Sequence, residues 1–171
     1  MIIVMAGLSG TGKSTLATEI AKALDAVILN KDAVRAAAFP DAVRDYTAEQ
    51  DDCVMEMIYS ALRYIWQHTP QISVVIDGRT FSKRAQVARL LEVTAALDVV
   101  PRFIECVIGD DEIAKSRLDN THAFAANRDF TLYQALQRDA EPLAVVRLTL
   151  DTGKLPVPEA VQRSLEYLQG N

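Results

Sequence analysis

The chain has 171 residues, is half hydrophobic and carries a formal net charge of −5. That length suits one domain, 1–171, with a sizeable core, and the acidic balance argues against a general nucleic-acid scaffold, which needs a basic face. No apolar run reaches the roughly 18 residues of a membrane span, and no basic segment precedes the first apolar run, so neither a spanning helix nor a signal peptide is expected. Cys53 and Cys106 lie far apart, without CxxC or metal-ligand spacing, and are expected as buried thiols in a reducing cytosol. His68 and His122 are isolated, so a zinc site is not expected. There is no internal repeat and no Pro-, Gly- or Ser-rich linker.

Ile2-Ile3-Val4-Met5-Ala6 is a short apolar run suited to a buried parallel strand. It leads into Gly7-Leu8-Ser9-Gly10-Thr11-Gly12-Lys13-Ser14, which fits the phosphate-binding pattern G-x-x-x-x-G-K-S/T, the P-loop. Leu16, Ile20, Ala23 and Leu24 then recur at helical spacing. The glycines let successive N–H groups turn toward one anion. The N-terminus of the following helix faces the same anion. Lys13 reaches the β- and γ-phosphates, and the Ser14 hydroxyl suits Mg²⁺, which prefers hard oxygen ligands. Thr15 supports the loop or the α-phosphate.

Residues 26–29 read as a second strand, ending in Asn30-Lys31-Asp32 before a short helix over 33–38. Asp32 thus stands at the C-terminal strand edge, where open parallel sheets bind ligands. Capping that helix is its competing role. After Pro40, Thr47-Ala48-Glu49-Gln50 looks like a capping box. It opens a long helix to about His68, with Val54, Met57, Ile58, Ala61, Leu62, Ile65 and Trp66 as its inward stripe. Trp66 is read as core rather than a stacking platform. Glu49, Asp51 and Asp52 are read as favourable first-turn charge rather than a metal site.

Residues 72–76 form a third apolar strand closing in Asp77-Gly78-Arg79. A hydrophobic run ending in Asp is a Walker-B-like pattern whose carboxylate holds Mg²⁺, usually through water; starting a turn is the alternative. Ser82 is a candidate cap for a helix to about Leu97, with Val87, Leu90, Leu91, Thr94 and Ala95 inward. A fourth strand lies within 99–108, and Asp110 caps a helix to about Leu118. Residues 119–129 have no clear period, are bounded by Arg117 and Arg128, and precede a second capping box, Thr131-Leu132-Tyr133-Gln134. That pattern predicts a helix–loop–helix lid at about 117–130. A fifth strand over 144–150, the turn Asp151-Thr152-Gly153 and a closing helix over about 158–168 complete the chain. The alternation predicts a doubly wound α/β domain with a mostly parallel five-stranded sheet and helices on both faces.

With the P-loop, Asp32-x-x-Arg35, Asp77 after the third strand and the arginine-bearing lid in this order, the chain resembles the small P-loop kinases over nearly its whole length. It looks most like the branch of polynucleotide 5′-kinases, seryl-tRNA kinases, zeta-toxin-like kinases and chloramphenicol phosphotransferase. The resemblance implies a three-layer P-loop NTPase fold with strand order 2-3-1-4-5 and a helical lid. It implies ATP and Mg²⁺ as cofactors, a cytoplasmic enzyme, and transfer of the γ-phosphate to a hydroxyl of a small molecule or of a nucleotide or RNA end. Gly10, Thr11, Gly12, Lys13, Ser14 and Thr15 would cradle the ATP phosphates, with Ser14 and Asp77 on the metal. Asp32 would orient or deprotonate the acceptor hydroxyl, and Arg35 would hold the acceptor. Arg117 would pack on adenine or touch phosphate, Arg128 would reach the transferring phosphoryl, and Thr152 would lie near the adenine. Arg79 departs from the branch; it binds acceptor phosphate or pairs with Asp77 or Asp32. The competing readings are an NTPase or nucleotide-gated regulator without a phosphoryl acceptor, and a nucleotide-binding module in which Asp32 is only a cap.

Overall fold

The computed structural model describes residues 1–119 and 130–170. Five short aliphatic runs pair into one sheet: β1 Ile2–Ala6, β2 Val27–Asn30, β3 Val74–Asp77, β4 Arg102–Val107 and β5 Arg147–Asp151. Their order is β2-β3-β1-β4-β5 and every pairing is parallel. In register, Val4 faces Ile76 and Phe103, and Asn30 faces Asp77. The carboxyl ends of β1, β2 and β3 therefore open on one edge, beside the point where the chain order reverses.

Side chains alternate along each strand, so a strand buried on both faces must be apolar throughout. Ile2, Val4, Val74, Ile76 and Phe103 pack toward α3 (Ala48–His68) and α4 (Arg84–Ala95). Ile3, Met5, Val75, Ile104 and Cys106 pack toward α1 (Lys13–Leu24) and α7 (Val157–Gln169). The sheet is thus the middle of three layers. A smaller cluster of Ile108, Ala114, Leu118 and Tyr133 joins α5 (Asp111–Asp119) to α6 (Phe130–Asp139), with Leu8 of the P-loop against it. Between β2 and α3 lie α2 (Lys31–Ala38) and a 3-10 turn at Asp41–Val43. No helix among the described residues is long and apolar enough to cross a membrane.

Several local expectations shift. The buried face of α3 is Val54, Met55, Ile58, Tyr59 and Leu62, whereas Met57 is exposed. Tyr59 fills a core position through its ring, which an aliphatic stripe does not anticipate, and burial pushes its hydroxyl up to about 12. Ile65 and Trp66 pack partly buried against the same core. In α4, Val93 and Thr94 turn inward while Leu91 and Ala95 face out. Ser82 does not cap α4. Its hydroxyl lies 3.0 Å from Thr80 Oγ1, and the Arg84 N–H donates instead to Glu141 Oε2 at 2.8 Å. Asn30, not Asp32, caps α2, accepting from the Ala33 N–H at 2.9 Å. Thr47 accepts from the Gln50 N–H at 3.1 Å, but the Gln50 side chain turns to Asp45 and Val43 rather than back to Thr47. The Thr131 box fails because α6 already begins at Phe130. Asp110 does cap α5, accepting from the Glu112 N–H at 2.9 Å. Cys53 is exposed on α3; only Cys106 is buried.

Candidate functional site

β1 delivers the chain to Gly7, whose φ is +125° and whose N–H donates to Thr80 O at 3.0 Å. A Cβ there would stand 2.1 Å from Cys106 O, so glycine is required both for the turn and for the close approach to β4. α1 starts after Gly12, and no side chain caps it. Its first N–H groups and the positive end of its dipole are therefore left for an anion. Lys13 is buried, and its ammonium donates to Leu8 O at 2.6 Å, folded back over the loop. Burial pushes the Cys106 thiol up to about 11, with the nearby Lys13 charge opposing.

A cavity of about 780 Å³ opens in front of this loop, within the size range of small-molecule sites. Gly10, Gly12, Lys13, Ser14 and Thr15 line it, with Asp32 and Gly78 on one side and Arg117 and Thr152 on the other. On the latter side the guanidinium of Arg117 forks onto Thr152, donating to Oγ1 at 3.0 Å and to the backbone oxygen at 2.7 Å. Thr152 Oγ1 in turn donates to Thr11 O at 2.8 Å. α5 and the turn after β5 are thereby clasped to the P-loop. That turn is held by Asp151, which accepts from the Gly153 N–H at 3.0 Å. Burial pushes the Asp151 carboxyl up, but the Gly153 N–H together with Lys154 and the Gly109 N–H outweighs it and holds the group below its usual range.

Asp77 ends β3 and is buried. Its Oδ2 accepts from Asn30 Nδ2 at 2.7 Å, while Oδ1 has no hydrogen-bond partner among the described residues. A buried carboxylate oxygen left in this state suits a water or a cation-bound water.

Beyond Asp32 the site is dense in charge. Arg35 is 1% exposed; it donates to Asp32 Oδ1 at 3.0 Å and to Asp51 Oδ1, and Tyr46 lies across it with the guanidinium 4.8 Å from the ring centroid. Lys31 Nζ bonds Asp51 Oδ2 at 2.6 Å. Arg79 is buried and bonds Asp52 Oδ1 at 2.5 Å and Asp51 O at 3.4 Å.

The cavity thus brings together Gly10, Gly12, Lys13, Ser14, Thr15, Asp32, Arg117 and Thr152. Thr11 is buried behind the loop, and its hydroxyl donates to Leu8 O at 2.8 Å. Arg35, Asp77 and Arg79 stand outside the lining, and Arg79 pairs with Asp52 rather than with Asp77 or Asp32. Arg128 and most of the expected lid lie outside the described residues. Sequence reasoning does not anticipate that Lys31, Tyr46, Asp51 and Asp52 gather around Arg35 and Arg79, outside the cavity lining. The available signal was that basic residues on α2 and after β3, if buried, need carboxylates, and residues 49–52 hold the nearest acidic run in the sequence.

Many solved structures share this architecture, and three illustrate it. A gluconokinase from Sinorhizobium meliloti 1021 is 22% identical with a TM-score of 0.72, over 97% of this chain and 90% of that one. A sugar kinase from Janibacter sp. HTCC2649 is 20% identical with a TM-score of 0.73, over 98% and 93%. The Mycobacterium tuberculosis APS kinase, solved with AMPPNP and APS, is 16% identical with a TM-score of 0.70, over 99% and 97%. At these identities the likeness establishes the fold. No curated protein matches the chain significantly. A family model described as an AAA domain matches residues 2–143, and the chain belongs to that family.

Proposed function

We propose that the protein is an ATP-dependent phosphotransferase that moves the γ-phosphate of ATP to an alcohol hydroxyl. The observation that carries this reading is that Asp32 lines the same cavity as Lys13 and the uncapped start of α1. A phosphate cradle alone would serve an NTPase; a carboxylate across from it, at the strand edge, suits a second substrate. The names of the fold neighbours, a gluconokinase, a sugar kinase and an APS kinase, agree with it.

In this reading the acceptor oxygen attacks the γ-phosphorus and its proton passes to Asp32. The bond from the γ-phosphorus to the β–γ bridging oxygen breaks, and ADP leaves. Phosphoryl transfer demands positioning and charge neutralisation more than covalent chemistry. Lys13 and the α1 N–H groups neutralise charge on the phosphate oxygens. Arg35, bonded to Asp32, fixes the direction of the carboxylate. Mg²⁺ would be held by the Ser14 hydroxyl and, through water, by Asp77 Oδ1, and would supply further neutralisation.

The test is transfer of labelled γ-phosphate from MgATP to a pooled panel of alcohols. Asp32→Asn is expected to lose transfer by about 10²–10⁴-fold, the usual contribution of a positioned base, while MgATP binding persists. Equal transfer in both proteins refutes the assignment of Asp32. Free phosphate alone, at equal rates in both, favours the NTPase reading instead.

A further inference from the structure

The acceptor side holds more charge than phosphoryl transfer uses. Lys31, Arg35 and Arg79 are 7%, 1% and 6% exposed. A buried cation is tolerated only when paired, and all three are paired with carboxylates of α2 and α3. Asp51 takes Arg35 on one oxygen and Lys31 on the other. Asp52 takes Arg79, and Asp32 takes the other terminal nitrogen of Arg35, while the buried Nε of each arginine has no hydrogen-bond partner among the described residues. The Tyr46 ring covers the face of Arg35. Cations that would otherwise recognise a carboxylate or phosphate on the acceptor are therefore already held.

We propose that Asp51 sets the acceptor class: by holding Arg35 and Lys31 it reserves the site beside Asp32 for an uncharged, hydroxyl-bearing molecule. This rests on the phosphotransferase reading above. Neutral polar groups on the wall of the cavity that Asp32 lines fit such a molecule. Ser9 and Thr80 offer hydroxyls and Gly78 offers backbone, while Asp32 itself accepts from hydroxyls and repels anions. An acidic acceptor would have to displace Asp51 from Arg35, leaving a carboxylate stranded among groups built to pair with it.

The experiment uses matched pairs that differ by one anionic group: glucose with gluconate, glycerol with glycerate, ribose with ribose 5-phosphate. Binding is read by saturation-transfer NMR in the presence of MgAMPPNP, and transfer by labelled γ-phosphate from MgATP. The wild type is expected to favour the uncharged member of a pair by at least about tenfold. Asp51→Asn, which frees Arg35 and Lys31 from one charge, is expected to move that ratio about tenfold toward the anion. Asp51→Glu is expected to restore it. A merely structural role for Asp51 would change rates or stability without moving the ratio. The proposal is overturned if the wild type prefers the charged members, or if a folded Asp51→Asn keeps the wild-type ratio. Because the wild-type ratio needs no variant, a misfolded Asp51→Asn leaves it decisive. A binding preference for the uncharged members without transfer supports this proposal while counting against the phosphotransferase reading; neither binding nor transfer of any member overturns both.

Discussion

Thr152→Val removes one hydroxyl at nearly constant shape, and that hydroxyl is the middle of the clasp between α5 and the P-loop. It accepts from Arg117 Nη1 at 3.0 Å and donates to Thr11 O at 2.8 Å. A hydrogen bond to a charged group contributes about 1.5–3 kcal/mol and a neutral one about 1 kcal/mol. Thr152 is half-buried on the cavity wall, so water replaces part of the loss, and a net cost of about 2 kcal/mol is expected. For a chain of this size that corresponds to a fall of about 4–8 °C in Tm. Urea unfolding of wild type, Thr152→Val, Arg117→Lys and the double variant gives the coupling directly. Lysine keeps the charge but loses the planar fork, so the pair should couple by about 1 kcal/mol. MgATP affinity should fall in both single variants, because the clasp sets the wall opposite Asp32. A Thr152→Val protein within about 0.3 kcal/mol of wild type, with additive behaviour in the double variant, refutes the clasp.

Gly7→Ala should cost about 3 kcal/mol or more, from strain at positive φ and from overpacking, since its Cβ would stand 2.1 Å from Cys106 O; urea midpoints check it, and a wild-type midpoint contradicts the loop geometry. Alkaline stability follows from two buried groups, the Cys106 thiol raised to about 11 and the Tyr59 hydroxyl raised to about 12. The unfolded chain loses these protons first, so stability should decline as pH rises from about 9 to 11 for Cys106 and from about 10 to 12 for Tyr59. The full effect is about 3 kcal/mol per group, and Cys106→Ala should flatten the lower window; an unchanged profile refutes the assignment. Iodoacetamide on the folded protein should modify the exposed Cys53 and spare the buried Cys106. Peptide mass spectrometry reads this, and modification of both thiols at native pH would contradict the packing.

What the amino-acid sequence discloses here is what depends on neighbours along the chain. The P-loop is legible because its glycines, Lys13 and Ser14 act within eight residues, between a strand and a helix that also read locally. The strands are legible because burial on both faces demands continuous apolar runs such as Ile2–Ala6. The strand order is legible only through resemblance to a kinase family, since hydrophobic pattern says nothing about which strand lies beside which. On α3, apolar spacing favours Met57 as core, whereas Met55 and Tyr59 hold the buried positions. Apolar character alone does not separate two stripes a few residues apart when both contain methionine.

The charges around Asp32 show a deeper reason for illegibility. Glu49 and Asp51 satisfy a local rule, acidic residues in the first turn of a helix, and Asp52 follows directly; that rule gives no cause to look further. The same Asp51 and Asp52 also satisfy a long-range rule, counter-ions for buried cations, but that rule becomes visible only when Arg35 and Arg79 are seen to be buried. In the sequence Arg35 stands in an alanine-rich helix, three residues after Asp32, and nothing in that pattern discloses that its guanidinium is buried. The two rules make opposite predictions for a substitution. If Asp51 acted only on the dipole of α3, neutralising it would cost about 0.3–1 kcal/mol and be screened by salt. As a partner of both Arg35 and Lys31, its loss removes one counter-ion from each of two buried cations, leaving Arg35 with Asp32; with part of Asp51 open to solvent a cost of about 2 kcal/mol is expected, little changed by salt. The salt dependence of Asp51→Asn stability therefore separates a helix-end charge from a counter-ion of buried Arg35 and Lys31.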